Sequence, residues 1–501
     1  MMKKIVYLPL DERPCNAEFG AFLLQDNPDY QLVKPSEAEL GRKKTPASYE
    51  KLSAFLQREC KDAYGLVLSV DMLLYGGIVP SRLHFYSADE LEKRLQLLQM
   101  IKQDNPALKI YAFSLIMRCP QYSSSDEEPD YYETCGREIF LYGQNEHKYA
   151  LGVIDKQTYE TQKATLFPKV EKDLPDFLQR RTVNIQALEK TLSMLGTVID
   201  KFVIPQDDSS PYGYTAIDQA RVKAYVKDNG LPEVDIYPGA DEVGMTLLSA
   251  LVTDDKGYAP TICPVYPDEA CKKVIPLYED RAVEKSIASQ IKNAGGIVTD
   301  NEEEADILLF CNLPVGQMKN YTEQFGEQYD KRNLPKYVEK MQTYIRQGRT
   351  VAAADIAYCN GGDIEWTKRM DESFGLFALG GYAGWNTSSN TLGTVICQAV
   401  LYHFYGDTAT HRRFTAERIY EDVGYCSYAR KHICDNVLPA MGLDYFHADG
   451  RIGKVSAIVT DTLNGYVQAN YPTVYANYQI ATCEMPWSRM FEVGLTVKER
   501  K

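Results

Sequence analysis

Apolar runs broken by short polar turns recur along this chain, and between them the apolar spacing switches to three and four. The runs Lys3–Leu10, Leu66–Val70, Lys109–Met117, Phe202–Ile204 and Val234–Tyr237 predict strands, with Leu32-Val33 as a shorter one. Tyr49, Leu52, Phe55 and Leu56 predict a helix over Pro46–Cys60. Ser87 and Glu90 make a capping-box pattern ahead of Leu91, Leu95 and Leu98, and Leu247 and Leu251 mark a further helix. Thr215, three residues before Asp218, is the expected cap of the helix that follows Phe202–Ile204. Tyr122 to Gly196 is long, polar and helix-compatible, which predicts a helical insertion that helps shape a substrate entrance.

A weak seam at Thr253–Pro260 precedes a second series. Ile262–Tyr266, Ile297-Val298, Ile307–Phe310, Thr350–Ile356 and Leu376–Leu379 read as strands, and a helix carrying Val283, Ile287 and Ile291 stops at Gly295-Gly296. A helix is expected to start near Leu392, with Asn390 as its cap, and another to run over Phe414–Val437. Lys454–Thr460 and Val474–Ile480 read as strands of a smaller C-terminal part. Strand–helix–strand order with right-handed crossovers implies an α/β fold with parallel sheets. The expected organisation is a βα-repeat catalytic domain over 1–255, barrel-like or doubly wound, with residues 122–196 inserted. A flavodoxin-like α/β domain over 256–400 and an α+β region over 401–501 follow.

The length of 501 residues, with 45% hydrophobic and 25% charged residues, suits a globular chain with more than one core. A formal charge of −14 disfavours nucleic acid and anionic membranes as partners. The start, MMKKIVYLPLDERP, is too broken by charge for a signal peptide, and even the apolar stretch Gly65–Pro80 contains Asp71, so a soluble cytoplasmic protein is expected. Twelve singly placed cysteines without a Cys-x-x-Cys pair read as reduced core residues, and six scattered histidines exclude a His-Glu-x-x-His site.

The candidate chemistry lies where the predicted strands end. Asp11 with Arg13 and Asn16, Asp71, Arg118, Asp207 with Asp208, Asp241 with Glu242, and Asp355 all follow apolar runs. Parallel strands point one way, so such residues share the face on which α/β proteins bind ligands. Each acid by itself fits a cap or a turn former, and their recurrence is what suggests a pocket. Tyr212 in the acidic loop, and Trp385 and Asn386 in the glycine-rich stretch Gly380–Thr394, add aromatic and amide groups suited to a sugar's faces and hydroxyls. A core role for Trp385 weighs equally.

Carboxylate pairs suit glycosidic cleavage, in which one acid protonates the leaving oxygen and another group stabilises the oxocarbenium ion. Asp207-Asp208, and Gly239-Ala240-Asp241-Glu242, resemble the acid pairs of hexosaminidases that use the substrate's acetamido group. That resemblance implies orientation or stabilisation by Asp207 and general acid catalysis by Asp208, with Glu242 the alternative acid. The expectation is a glycoside hydrolase for a small sugar conjugate, N-acetylated or not, with no cofactor and with a carbohydrate substrate as partner. A divalent-metal hydrolase or transferase holding Mg or Ca on Asp207, Asp208, Asp241 and Glu242 stays open, as do a noncatalytic sugar-binding protein and a homo-oligomer. Finally, Pro9-Leu10-Asp11-Glu12-Arg13-Pro14 and Ala383-Gly384-Trp385-Asn386-Thr387 resemble the motifs of the bacterial domain-of-unknown-function family 4127, over nearly the whole chain.

Overall fold

The computed structural model describes residues 2–325 and 332–500. They form two compact units, one of Met1–Glu12, Asn27–Gly244 and Tyr278–Asp280, the other of Arg13–Asp26, Met245–Leu277 and Arg281–Lys501.

The N-terminal unit is built on strands β1 (Lys3–Leu8), β2 (Tyr30–Val33), β3 (Gly65–Ser69), β4 (Lys109–Phe113), β5 (Lys201–Gln206) and β6 (Asp235–Pro238), which pair in the order β2-β1-β3-β4-β5-β6. Every pairing is parallel. The sheet has two free edges, so of the two expected forms it is the open, doubly wound one and not a barrel. The central strand β3, Gly-Leu-Val-Leu-Ser, is buried throughout, as a strand covered on both faces must be. Order reverses at β1, whose neighbours are the second and third strands, and such a switch point is where open α/β sheets leave a crevice beyond their C-terminal ends.

The helices between strands follow the sequence signals closely. Ser48 caps Tyr49–Glu59, and Ser87 and Glu90 close the expected capping box on Ala88–Asp104. The insertion is helical, with helices Tyr132–Ala150, Lys156–Val170 and Leu174–Leu192. It carries its own small core, in which Tyr132, Ile139, Val170 and Phe177 pack with Met117 and Tyr214. Thr215 is not the cap foreseen. The helix Tyr214–Asp228 begins one residue before it, capped by Gly213, and the Thr215 hydroxyl donates to the Met117 carbonyl at 3.3 Å.

The second unit repeats the plan. Strands β7 (Thr261–Val265), β8 (Ile297–Val298), β9 (Ile307–Asn312), β11 (Thr350–Asp355) and β13 (Gly381–Ala383) pair in parallel in the order β13-β11-β9-β7-β8. Counted from β7, that is second-first-third-fourth-fifth, the flavodoxin-like order expected for this region. A parallel pair, β10 (Lys319–Asn320) with β12 (Tyr358–Cys359), and an antiparallel pair, β14 (Tyr478–Glu484) with β15 (Gly494–Glu499), complete the strands. Residues after 400 share one hydrophobic core with this sheet, in which Phe310, Val351, Trp366, Val423, Leu463 and Val497 are all buried.

Three expectations here shift. Leu376–Leu379 is mostly a 3₁₀ turn, and the strand comes later, at Gly381–Ala383. Glycine lets the covering helix Ser388–Tyr405 pack close here: a Cβ on Gly381 would lie 3.0 Å from the Val395 carbonyl, a contact the helix would have to yield to. That helix starts at Ser388 after Thr387, so Asn390 is inside it and does not cap it. Lys454–Thr460 belongs to the helix Lys454–Asn470, and Val474–Ile480 is helical up to Asn477. The β-branched run misleads over seven residues, whereas Val455, Val459, Leu463 and Val467 bury one stripe at intervals of four. Leu463→Ala should therefore lower stability by about 2–5 kcal/mol, and Asp461→Ala, on the exposed side, by less than about 0.5. Urea unfolding midpoints check both; equal, small effects would contradict the helical stripe.

Candidate functional site

The C-terminal edge of the first sheet brings together groups separated by more than a hundred residues. Arg82 lies in the short turn Pro80–Arg82 after β3, Arg118 follows β4, and Asp207 and Asp208 follow β5. Glu127 and Glu128 come from the stretch leading into the helical insertion. Arg82 Nη1 donates to Glu127 Oε2 at 3.0 Å and Glu128 Oε1 at 3.2 Å, and its Nη2 donates to Asp207 Oδ2 at 2.6 Å. Arg118 reaches Glu128 Oε1 at 2.8 Å through Nε, Asp208 Oδ2 at 3.2 Å through Nη1, and Glu127 Oε2 at 3.0 Å through Nη2. Two planar guanidinium forks thus hold four carboxylates, a geometry lysine could not reproduce.

The two aspartates of the pair stand differently. Asp207 is the partner of Arg82. Asp208 adopts a left-handed backbone, with φ of 37°, keeps 26% of its side chain accessible, and meets only the longer contact from Arg118. Removal from water, followed by the charge of Asp207, pushes its carboxyl up to about 6. Ser209, next along, donates its amide to the Tyr278 carbonyl at 3.0 Å, and Gly213 donates its amide to His147 Nδ1 at 3.2 Å, so the loop is tied at both ends. At the rim Tyr122 is 45% exposed, with its hydroxyl in the fields of Arg118, Glu127 and Asp208.

Of the residues expected from sequence, Arg118, Asp207 and Asp208 form this cluster. Asp71 is buried beside it, with Leu115's amide donating to its Oδ2 at 3.0 Å, and burial pushes its carboxyl up to about 7. Glu242 turns back on its own loop, accepting from the Ala240 amide at 3.0 Å and packing on Gly239, where a Cβ would sit 2.0 Å from Glu242 Oε1. Asp11 and Asp241 are buried at the ends of β1 and β6. Tyr212 lies half-buried with its ring edge on His147. Tyr75, Tyr214 and Tyr237 are core residues. Glu127, Glu128 and Tyr122 escaped the sequence reading because they follow polar stretches and no apolar run, and Arg82 because it comes after the turn that closes Gly65–Pro80 and not at the strand end itself; the acidic run Asp126-Glu127-Glu128, before the first insertion helix, is the signal that could have found the glutamates.

Arg13, Asn16, Asp355, Trp385 and Asn386 fall in the second unit. Arg13 stacks on Trp487 and lies 3.6 Å from Glu492, and the Asn16 amide reaches Cys15 Sγ. Trp385 is core: Nε1 donates to Thr394 at 3.2 Å and its ring meets Phe19 edge-on. The Asn386 carbonyl accepts from the Asn360 amide at 2.7 Å, joining the loop after β11 to the glycine-rich loop after β13. Asp355, at the end of β11, accepts from Asn312 (3.0 Å), Tyr382 (3.0 Å) and the Asp363 amide (2.7 Å). Asp422 accepts from the Gly384 amide at 2.8 Å and from Arg418, which also holds Glu421; both acids lie in a stretch wound as a π-helix over Ile419–Ala429. These carboxylates are deeply buried and already fully engaged in the packing of the unit.

The family model described as "Protein of unknown function (DUF4127)" matches residues 5–496. The chain belongs to the DUF4127 family. No curated protein matches it. In this DUF4127 member no group of three or more His, Cys, Asp or Glu among the described residues is arranged to hold a metal ion, and no described helix is long and apolar enough to cross a membrane.

Two outcomes follow. Arg82→Met, which leaves half-buried Asp207 without its guanidinium and buried Glu128 with Arg118 alone, should cost about 2–4 kcal/mol in urea unfolding; a loss under about 0.5 would mean that the cluster does not depend on it. Burial also raises Asp355, Glu421 and Asp422, and lifts Glu417 to about 7. The folded chain keeps these protons after the unfolded chain has released them near pH 4, so their contribution to stability is lost as pH rises through 7. The urea midpoint should fall from about pH 5 to about pH 7 and level off above that. It should fall less in Glu417→Gln, which retains an acceptor for the Val497 amide, and identical slopes would refute the assignment.

Proposed function

We propose that this protein hydrolyses a small sugar conjugate, with Asp208 as general acid and Asp207 as the orienting or stabilising carboxylate. The observation that carries this reading is the asymmetry of the pair. Asp207 is fixed by Arg82 at 2.6 Å, whereas Asp208 is accessible and has its carboxyl lifted to about 6. A carboxyl that holds a proton close to neutral pH can give it to a leaving oxygen, and a neighbouring carboxylate held in place by an arginine can face the positive charge that then develops at the anomeric carbon. On an N-acetylated sugar, Asp207 would orient the acetamido group that closes on that carbon. Tyr122, exposed beside the acids, offers an aromatic face to the sugar ring's C–H groups.

Hydrolysis of chromogenic glycosides, N-acetylhexosaminides included, tests the reading. Chelator-insensitive release is expected, with kcat/KM highest below about pH 6 and declining as Asp208 loses its proton. Asp208→Asn should lower kcat by about 10²–10⁴-fold at an unchanged melting temperature. Near-normal turnover by that variant would remove Asp208 from the role, and loss of activity with chelator would transfer the cluster to metal-dependent chemistry.

A further inference from the structure

Asp71 and Asp207 line one small cavity, with room for about one water molecule, whose other polar walls are Ser81, Arg82 and Asn184. Asp71 enters it from the first turn of the helix Val70–Tyr75, directly after β3, and Asp207 from the loop after β5. Several donors on the other walls are already engaged. Ser81 Oγ donates to the Ile78 carbonyl at 2.6 Å, the Asn184 amide nitrogen to the Ser81 carbonyl at 2.9 Å, and Arg82 to Asp207 and the two glutamates. A water in that space therefore finds its strongest acceptors in the two aspartates.

We propose that a water in this cavity bridges Asp71 to Asp207, making Asp71 a positioning residue that shares its proton with the Asp207–Asp208 pair. The transfer balances: Asp71 gives a proton to the water, the water passes one to a carboxylate oxygen of Asp207, and the reverse restores both. Groups facing Asp71 from the packed elements are Arg82 across the cavity, Tyr75 on its own helix, and Ser114 and Leu115 after β4. The Leu115 amide and the Ser114 hydroxyl fix the carboxyl's orientation, and burial keeps its proton in place up to about pH 7, so exchange falls where Asp208 also titrates.

The proposal rests on the Asp207–Asp208 reading for its catalytic meaning, and its test does not need turnover. In full-length protein labelled with ¹³C at aspartate side-chain carbons, the carboxyl titrations of Asp207 and Asp208 are followed by NMR in wild type, Asp71→Asn and Leu115→Phe. Asp71→Asn removes the exchanging proton. Leu115→Phe fills the cavity while keeping the backbone amide that holds Asp71, and serves should the first variant not fold. Both should move the Asp208 titration by about half a pH unit or more, as expected for loss of a coupled neighbour. Titrations superimposable on wild type overturn the proposal. If wild type cleaves no glycoside while the titrations still shift, the hydrolase reading fails and the water bridge stands.

Discussion

Like-charge repulsion beneath the end of a parallel sheet is the constraint that shapes the first unit. Two unit charges about 4 Å apart interact with about 4 kcal/mol near a protein surface, so four carboxylates there would drive each other apart. Arg82 and Arg118 answer this by reaching every member of the group, each fork spanning three carboxylates. Two positive charges do not balance four negative ones. The excess emerges where water still reaches, at Asp208, whose proton is the least costly to keep.

The second unit meets the same problem on the same strand order and resolves it differently. There the strand-end acids turn inward: Asp355 is saturated by an amide, a side-chain amide and a phenol, and Asp363 caps its helix while pairing with Arg332. Those acids hold loops together. In the first unit the pair after β5 sits on a tied loop with one member still accessible, which sets it apart from the buried acids of the second unit. The DUF4127 match, over residues 5–496, spans both units.

Local signals reported local structure well. The capping box at Ser87 and Glu90, the helical insertion and the parallel strands all appear where short-range patterns placed them, because each depends on neighbours within a turn or two. Errors arose where a partner outside the window decided the outcome. Thr215 is drawn off to the Met117 carbonyl, Gly381 is set by a helix crossing at Val395, and Val455–Thr460 joins a helix whose stripe becomes visible only out to Val467.

The amino-acid sequence by itself determined the α/β class, the repeated βα order and the family, and it placed acids at strand ends, since hydrophobic period and turn chemistry are written in neighbouring residues. Which acids meet was decided only by the tertiary structure. Asp207 and Asp208 acquire Arg82, Arg118, Glu127 and Glu128 through sheet order, and Glu242 turns into its own loop instead. Burial and charge at a carboxyl depend on groups brought near through space, and no spacing along the chain encodes them.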